Sequence, residues 1–338
     1  MQMQQNVSLR NLNTFGLESE ARFFIEVKSV NELAGILSDK SLETFPKFIL
    51  GGGSNVLLTQ NIDALVIHPN IKGLTKINEN EDFVWIHAGG GEIWHDFVLY
   101  CVEHQYAGIE NLSLIPGTVG AAPMQNIGAY GVEIKEVVET VETISIATAE
   151  IRNFSWEECR FGYRESIFKT DLKGQYIITG VVFKLNKKPH FNIEYGDIQK
   201  TLQEMGVKDI SIDAVSEAVI RIRKSKLPDP AIVGNAGSFF KNPEIDKSQF
   251  DELKENFQEI PGYPTSKDKI KVPAGWLIEK AGWKGYRDGP IGVHERQALV
   301  LVNYGGGSGE GIKALSEKIL ESVESKFGIR LTTEVNFV

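Results

Sequence analysis

Apolar residues recur in the first part of the chain at two spacings, one typical of helices and one typical of strands. Residues 30–39, VNELAGILSD, place apolar side chains three and four positions apart, which predicts an amphipathic helix. The short apolar runs at 48–50 and 63–69 are bounded by turn-forming residues, so both are predicted as strands. These segments predict a small first unit of the βαββ type.

A second set of segments follows over a longer stretch. Residues 83–98 predict a strand, a glycine turn and a helix, and the runs at 137–148 and 176–185 predict further strands. A helix predicted over 214–223 ends before a proline-rich stretch, which indicates a boundary near residue 222.

The last third of the chain predicts one long amphipathic helix and a final strand. Within residues 311–328 four apolar side chains share one helical face, namely Ile312, Leu315, Ile319 and Val323. Residues 331–338 predict the strand. We therefore expect an α+β fold. Its expected domains are 1–75, 76–222 and 223–328, with the final strand at 329–338 returning to the second.

Composition and charge narrow the class of protein. The 338 residues are 42% hydrophobic and 24% charged, which is typical of a globular protein with two or three buried cores. The net charge of -9 argues against a general nucleic-acid surface, although RIRKSK at 221–226 could serve a small phosphorylated ligand. With no leader pattern and no apolar run of bilayer length, the chain is expected in the cytoplasm and off the membrane. Cys101 and Cys159 are too isolated to predict zinc or a disulfide framework, so no metal is expected.

The glycine-rich stretch after the first predicted strand is the earliest candidate for binding chemistry. Residues 51–55, Gly-Gly-Gly-Ser-Asn, could let successive main-chain N–H groups approach an anion. The segment lacks the lysine of a Walker A loop and the spacing of a Rossmann fingerprint. Local pattern alone leaves two interpretations open, an anion-binding loop or a turn between two strands.

A second glycine-rich stretch, residues 109–133, contains glycines and prolines that suppress any regular element. Long segments of this kind inside a domain are more often binding loops than filler. Two such loops from two domains could grip the ends of one extended cofactor. The alternative is that the glycines only permit tight packing.

Three further residues stand out, each with a plainer explanation beside the chemical one. Arg164, next to Tyr163, has the planar fork that suits a carboxylate or a developing oxyanion, although such a pair is more often surface packing. Ser238 follows Gly237 without a histidine partner, so a turn cap fits it better than a nucleophile. Glu334 stands in an apolar strand, where alternation alone places it in solvent.

Taken together, these stretches resemble the UDP-N-acetylenolpyruvoylglucosamine reductase family of bacterial cell-wall synthesis over almost the whole chain. The motifs that carry the resemblance are NTFG at 13–16, LGGGSNVLL at 50–58, IPGTVGAAPMQNIGAYG at 115–131, CRFGYRESIF at 159–168, KLPDPAIVGNAGSFFKNP at 226–243, AGWLIE at 274–279, VHERQALVLVN at 293–303 and EVNF at 334–337. The resemblance implies NADPH-dependent reduction of UDP-N-acetylglucosamine enolpyruvate to UDP-N-acetylmuramate through non-covalently bound FAD. It also implies a two-domain FAD-binding unit of the PCMH or vanillyl-alcohol-oxidase type and a smaller α+β substrate-binding domain.

The same resemblance assigns residues to the cofactor. The GGGSN segment would hold the FAD pyrophosphate, the stretch from Ile115 to Gly131 would line the rest of the flavin, and Arg223 would add a charge at the flavin edge. The implied cofactor-binding residues are Gly51, Gly52, Gly53, Ser54, Asn55, Ile115, Pro116, Gly117, Gly120, Ala121, Ala122, Gly128 and Arg223. At Ala121 and Ala122 some relatives carry serine, so any hydroxyl contact to the flavin is lost there.

The catalytic positions of the family fall on Arg164, Ser238 and Glu334. Ser238 would protonate C2 of the substrate, Arg164 would stabilise charge on its carboxylate, and Glu334 would polarise or protonate the intermediate. The implied substrate contacts are Tyr163, Tyr195, Lys226, Asn242 and Gln297. The loop around Tyr195 is a feature of the type I branch, where it closes over the uridyl diphosphate, so we expect this chain in that branch.

Two other functions stay open at this level. One is another FAD oxidoreductase of the same fold, such as an oxidase of small alcohols, but those enzymes commonly tether flavin through histidine or cysteine, and neither occurs in the two glycine-rich loops. The other is a flavin- or sugar-nucleotide-binding protein without catalysis, which would lack at least one catalytic residue. Without heptads or a long apolar surface run, a monomer is expected.

Overall fold

The computed structural model describes residues 3–338, which form two compact units. The first unit comprises residues 3–7, 21–52 and 63–225. The second unit comprises residues 8–20, 53–62 and 226–338. Two segments from the N-terminal part of the chain therefore fold with its C-terminal third. The expected division into three domains stays a prediction.

Twenty strands, seven α-helices and six short 3₁₀ helices make up the regular structure of residues 3–338. The strands are β1 (Gln4–Ser8), β2 (Glu20–Val27), β3 (Lys47–Ile49), β4 (Val56–Leu57), β5 (Ile62–Pro69), β6 (Leu74–Glu79), β7 (Phe83–Gly89), β8 (Gly128–Ala129), β9 (Val132–Glu133), β10 (Val138–Ser145), β11 (Ile151–Ser155), β12 (Tyr176–Asn186), β13 (Gly234–Asn235), β14 (Glu244–Asp246), β15 (Tyr263–Ser266), β16 (Lys269–Lys271), β17 (Arg287–Asp288), β18 (Ile291–Val293), β19 (Leu301–Asn303) and β20 (Asn336–Phe337). The helices are α1 (Val30–Ser38), α2 (Trp94–Glu103), α3 (Ile198–Glu204), α4 (Ile212–Lys226), α5 (Lys247–Asn256), α6 (Ala274–Lys280) and α7 (Gly309–Phe327).

The first unit is built on two larger sheets, and side chains from both sheets share one of its hydrophobic cores. A five-stranded antiparallel sheet has the order β11-β10-β12-β7-β6. Its core takes in Trp94 and Phe97 from α2 and Phe183 from β12. A four-stranded sheet has the order β1-β2-β5-β3, with β3 parallel to β5. Leu33 and Ile36 of α1 pack in the core of that sheet.

The helices predicted from periodicity form, with ends set by local chemistry. α1 begins after Ser29, whose hydroxyl oxygen accepts a hydrogen bond from the main-chain N–H of Glu32. α7 ends at Gly328, whose φ of 64° is the left-handed conformation that glycine adopts readily. α4 continues to Lys226 and does not end at 223 as predicted. The next residue, Leu227, precedes Pro228, and a residue before proline disfavours the helical conformation.

The second unit has small sheets around one hydrophobic core. Their strand orders are β13-β19-β18-β17, β14-β16-β15 and β20-β4. The core takes the predicted apolar face of α7 together with Phe15 from the N-terminal segment. The final strand is shorter than predicted, and it pairs in parallel with β4 of the same unit.

Candidate active site

The first two glycines of the GGGSN segment are shaped by close main-chain approaches inside the first unit. A Cβ atom on Gly52 would lie 2.9 Å from the Cα of Gly117, and one on Gly51 would lie 3.3 Å from the hydroxyl oxygen of Thr118. A side chain at position 52 would therefore push this segment away from the second glycine-rich stretch. The two glycine-rich stretches of the sequence meet here.

Gly53 opens the part of the segment that belongs to the second unit. Its φ is +59°, and a Cβ atom there would lie 1.9 Å from the carbonyl oxygen of Leu12. The Gly53 carbonyl accepts a hydrogen bond from the N–H of Thr14 at 3.1 Å. The NTFG motif thus packs directly against the bend of residues 51–55, which we call the glycine loop.

The main chain of this loop fits a diphosphate. Within residues 3–338 the N–H groups of Gly51, Gly52 and Gly53 donate to no main-chain carbonyl. Successive main-chain N–H groups with no main-chain acceptor are the kind of donors that anion-binding loops use. Ser54 and Asn55, both half-buried, add polar side chains at its end. The residues present therefore match what the pyrophosphate of a dinucleotide requires.

The second glycine-rich stretch lies on a further run of glycines, Gly89–Gly91, at the end of β7. The N–H of Gly120 donates to the carbonyl of Gly90 at 2.8 Å. A Cβ atom on Gly90 would lie 2.8 Å from the carbonyl oxygen of Ile178 in β12. Only bare main chain lets the loop lie this close to the five-stranded sheet.

Leu114, just before Ile115, is held in a left-handed conformation by two polar side chains. Its φ is +60°. Its N–H donates to Nδ1 of His95 at 3.0 Å, and its carbonyl accepts from Nε of Arg223 at 3.2 Å. Burial lowers the pKa of His95, so its ring is neutral near pH 7, as an acceptor of the Leu114 N–H must be. Burial also lowers the pKa of Arg223. Arg223 therefore also fixes the start of the stretch from Ile115 to Gly131, here called the flavin loop after the role that the resemblance implies for it.

Arg164 lies at the tip of a two-residue turn in the first unit. Gly162 and Glu165 exchange main-chain hydrogen bonds on either side of it, and Arg164 has a φ of +56°. Its guanidinium donates to the carbonyl of Gly128 at 2.5 Å and lies over the ring of Tyr163, 5.3 Å from the centroid. A half-buried non-glycine residue in this conformation is strained, as residues held for function often are. The arginine is thereby tied to the flavin loop.

The loop that carries Tyr195 is anchored to the flavin loop by two amide side chains. Nδ2 of Asn111 donates to the carbonyls of Asn192 at 2.7 Å and Tyr130 at 3.1 Å. Nδ2 of Asn192 donates to the carbonyl of Gly131 at 3.1 Å. Tyr195 itself is 59% exposed. A fixed base thus carries an exposed phenol, which suits a residue that contacts a ligand.

Ser238 and Glu334 are brought together in the second unit by main-chain pairing. Phe240 and Thr333 form an antiparallel bridge, and the N–H of Glu334 donates to the carbonyl of Phe239 at 2.8 Å. Ser238 is exposed, and Glu334 is half-buried where alternation placed it in solvent. Strand alternation does not apply to Glu334, because it lies outside β20 and pairs instead with the serine-bearing segment.

Asn55 joins Glu334 to the glycine loop. Its Nδ2 donates to the carbonyl of Glu334 at 3.2 Å, and its own carbonyl accepts from the N–H of Asn336 at 3.1 Å. A residue implied in cofactor binding and one implied in catalysis therefore share hydrogen bonds within the second unit.

The implied substrate contacts of the second unit include two amides at one helix. Oδ1 of Asn242 accepts from the N–H of Ala274, the first residue of α6, at 2.9 Å. A Cβ atom on Gly275 would lie 3.2 Å from Oε1 of Gln297. Lys226 is exposed at the end of α4. Two amides and an ammonium group suit a polar, anionic ligand.

Some of the other candidate residues have environments that limit their chemistry. Ala122 is buried in the core of the first unit, which also packs against Ile115, whereas Ala121 is half-buried and Pro116 exposed.

The two cysteines of the first unit, Cys101 and Cys159, are buried. Burial raises the pKa of Cys159 to about 12 and that of Cys101 well above its usual value, so a thiolate tether for flavin is disfavoured.

Most residues that support the site have no distinctive sequence pattern. The sequence predicts Gly89–Gly91 only as a turn, and no periodicity marks Thr14, Asn111, Asn192 or Asn235. Thr14 and Asn235 stand inside the NTFG and GNAG motifs, which was the signal available for them. A buried asparagine that bonds to main-chain atoms leaves no periodic pattern in a sequence.

Comparison with known proteins defines the class first. A family model described as FAD binding domain matches residues 21–155, so the chain is a flavin-binding protein of that class. The model of the UDP-N-acetylenolpyruvoylglucosamine reductase C-terminal domain matches residues 229–338. Because proteins of that name are 51% and 52% identical to it over their full length, the chain belongs to the UDP-N-acetylenolpyruvoylglucosamine reductase family.

Relatives with that name cover the whole chain. The protein of Amoebophilus asiaticus is 51% identical over 338 residues, and that of Flavobacterium johnsoniae is 52% identical over 339 residues, with 100% of both chains covered in each case. The protein of Pseudomonas aeruginosa is 43% identical over 336 residues, covering 99% of each chain.

A solved structure supports the same fold. The crystal structure of a UDP-N-acetylenolpyruvylglucosamine reductase from Thermus caldophilus matches with a TM-score of 0.69 at 22% identity, covering 99% of each chain. The family predicted from the sequence is confirmed, as is the α+β fold with an FAD-binding unit. In the part of the chain from residue 3 onward, no helix combines the length and apolar character needed to cross a bilayer.

Proposed function

We propose that this protein reduces UDP-N-acetylglucosamine enolpyruvate to UDP-N-acetylmuramate, with FAD as bound cofactor and NADPH as hydride donor, for peptidoglycan precursor synthesis. The observation that carries the proposal is the pairing of the Ser238 segment with the Glu334 segment, which Asn55 of the glycine loop joins by a hydrogen bond. In the net reaction one hydride and one proton add across the enolpyruvyl double bond. Relatives of full length that bear this reductase name support the proposal.

The proton comes from Ser238 in this proposal. When bound, FAD supplies the hydride chemistry, by which a hydride taken from NADPH reaches C3 of the enolpyruvyl group and carbanion or enol character develops at C2. Ser238 donates its hydroxyl proton to C2. A serine hydroxyl is a weak acid, so this step requires a strongly basic carbon and a group that returns the proton. The half-buried carboxyl of Glu334, on the paired segment, suits that return.

Arg164 stabilises the negative charge that develops on the substrate carboxylate. Preorganised charge of this kind contributes a few kcal/mol in a water-poor site. The hydrogen bond to Gly128 and the contact with the Tyr163 ring hold the guanidinium in place before substrate arrives, which supports this role. Lys226 binds the diphosphate as a point charge, and Tyr195 completes substrate contacts made by Asn242 and Gln297.

We also propose that the protein works in the cytoplasm as a monomer, without nucleic-acid or membrane partners. The net charge of -9 supports the absence of a nucleic-acid partner. Light scattering on the purified protein tests the monomer, since a mass near twice 37.6 kDa would contradict it.

The test of the function separates the two half-reactions of the flavin under anaerobic conditions. In Ser238→Ala we expect NADPH to bleach the flavin at the wild-type rate, while reoxidation by the enolpyruvyl substrate slows about 100-fold or more. Ser248→Ala, an exposed serine on α5, is the matched control and should leave both rates unchanged. Equal slowing of both half-reactions in Ser238→Ala would contradict the role of the serine. In the wild type, colour that returned only with oxygen would favour the oxidase alternative.

A further inference from the structure

Asn235 lies three residues before Ser238, and its buried side chain is fully engaged in hydrogen bonds. The residue is 4% exposed. Its Nδ2 donates to the carbonyls of Val233 at 2.9 Å and Pro228 at 3.2 Å. Its Oδ1 accepts from the N–H of Gly237 at 2.9 Å. One carboxamide therefore fixes the chain on both sides of β13.

Gly237 is the joint between Asn235 and Ser238. Its φ is +67°, a left-handed conformation, and no atom lies within 4 Å of the place where a Cβ would stand. Its N–H donates to Oδ1 of Asn235, a local side-chain bond that favours the turn conformation. Beyond Ser238 the chain is fixed again, because Phe239 is fully buried and its N–H donates to the carbonyl of Leu299 at 2.8 Å.

The main chain of Asn235 extends this constraint to the glycine loop. Its N–H donates to the carbonyl of Thr14 at 3.0 Å, and the N–H of Thr14 donates to the carbonyl of Gly53 at 3.1 Å. A continuous series of bonds thus runs from the implied pyrophosphate loop to the residue before Ser238, all within the second unit.

We propose that Asn235 is a positioning residue for the reaction, which sets the direction of the Ser238 hydroxyl through the N–H of Gly237. The inference rests on the proposed role of Ser238 as proton donor. Without the carboxamide, the N–H of Gly237 loses the side-chain bond that favours the turn, so the hydroxyl reaches the geometry for proton transfer less often. A misplacement of about 1 Å can cost on the order of 100-fold in rate.

The chain provides a matched control in the neighbouring strand. Asn303 of β19 pairs with Gly234 and is also 4% exposed. Its Oδ1 accepts from the N–H groups of Gly305 and Gly307, each at 3.0 Å, and its Nδ2 donates to a main-chain carbonyl at 2.9 Å. Asn303 therefore has the same burial and the same kind of bonds, but its side chain makes no bond to Gly237.

The experiment compares Asn235→Ala with Asn303→Ala in the FAD-loaded protein. We expect both variants to lose stability to a similar extent. Only Asn235→Ala should slow reoxidation by the enolpyruvyl substrate, by about 10- to 100-fold, with flavin reduction by NADPH unchanged. Only Asn235→Ala should speed hydrogen exchange at the Gly237 amide, which is measured independently of activity.

A third variant separates the two uses of the side chain. Asn235→Asp keeps an oxygen that accepts from Gly237 but gives up both donated bonds, so we expect it to be less stable and yet to reoxidise within about 3-fold of the wild-type rate. A large slowing of reoxidation in Asn235→Asp would overturn the proposal. So would an unchanged ratio of the reoxidation rate to the reduction rate in Asn235→Ala. An equal fall of this ratio in Asn303→Ala would overturn it too. A wild-type protein that the substrate did not reoxidise would refute the proposed function instead, and unchanged Gly237 exchange in Asn235→Ala would still refute the positioning.

Discussion

At the scale of single residues, a side chain added at either of two left-handed glycines would strain the backbone, but only at one of them would it also collide with a neighbouring atom. Gly16 and Gly53 have φ values of +63° and +59°. A Cβ on Gly16 would meet no atom within 4 Å, whereas one on Gly53 would lie 1.9 Å from the carbonyl oxygen of Leu12. The left-handed conformation alone costs an alanine about 1–2 kcal/mol. Gly53 is therefore required by packing as well as by its backbone angles.

We expect Gly53→Ala to lose most of its bound FAD or to fail to fold, because the NTFG segment must move to make room. Gly16→Ala should retain FAD and lose only about 1–2 kcal/mol of unfolding free energy. The ratio of flavin to protein absorbance after purification, together with urea unfolding, checks both outcomes. Similar flavin content in the two variants would mean that the close contact at Gly53 is dispensable.

Tyr195 provides a second prediction at this scale. Tyr195→Phe removes one hydroxyl from an exposed ring, so we expect the KM for the enolpyruvyl substrate to rise about 2- to 10-fold. Flavin reduction by NADPH should not change. Tyr263→Phe is a control of equal exposure, 60% against 59%. An unchanged KM in Tyr195→Phe would count against its assignment as a substrate contact.

At the scale of elements, Gly180 of β12 lets the two strands on either side of β12 form an ion pair over its backbone. Nε2 of His87 in β7 lies 3.0 Å from Oε2 of Glu142 in β10. A Cβ on Gly180 would lie 2.7 Å from the first atom and 2.8 Å from the second. The hydrogen bond that Nε2 of His87 donates to the Glu142 carboxylate raises the pKa of His87. The five-stranded sheet is therefore linked by side chains as well as by its ladder.

This pair should make stability depend on pH. Because the folded-state pKa of His87 is raised, its contribution is complete below the pKa of histidine in the unfolded chain and is lost as the pH rises through the folded value. We expect Glu142→Gln to cost roughly 0.5–1 kcal/mol of unfolding free energy near pH 5.5 and almost nothing near pH 9. Urea unfolding at the two pH values measures this. Glu139→Gln, an exposed carboxylate on the same strand, should show no such difference.

The elements predicted well are those whose cause is local. α1 and α7 follow from apolar periodicity and capping serines, which neighbours in sequence provide. The strand predicted over 331–338 was too long, because residues before Asn336 pair with the serine-bearing segment instead. Ser238 and Glu334 were located through the family resemblance, and local pattern favoured a turn cap and a solvent-facing carboxylate. The bond from Asn55 to Glu334 spans 279 positions, a separation that no local pattern encodes.

At the scale of the whole molecule, the second unit cannot be cut out as the C-terminal third of the chain. Its core includes Phe15 and Leu57, which are 1% and 0% exposed. β20 has β4 as its partner. A fragment of residues 226–338 would leave these places empty, and deleting a large buried side chain alone costs about 3–5 kcal/mol.

We therefore expect the fragment 226–338 to show no cooperative unfolding transition by circular dichroism in urea. Addition of a peptide that covers residues 8–62 should restore part of the signal, because it provides both missing segments. A cooperative transition in the isolated fragment would mean that the second unit folds without the N-terminal segments.

The interrupted chain order of the second unit also sets an order of events during synthesis. Residues 8–20 and 53–62 leave the ribosome first, but their partners follow only after residue 225 has been made. Until then Phe15 and Leu57 have no core to enter, so the nascent chain carries exposed apolar segments that chaperones recognise. The bond between Asn55 and the Glu334 carbonyl, and the bond from the Glu334 N–H to Phe239, form only after residue 334 has been made. The segments that carry Ser238 and Glu334 and the end of the glycine loop therefore depend on the same late part of synthesis.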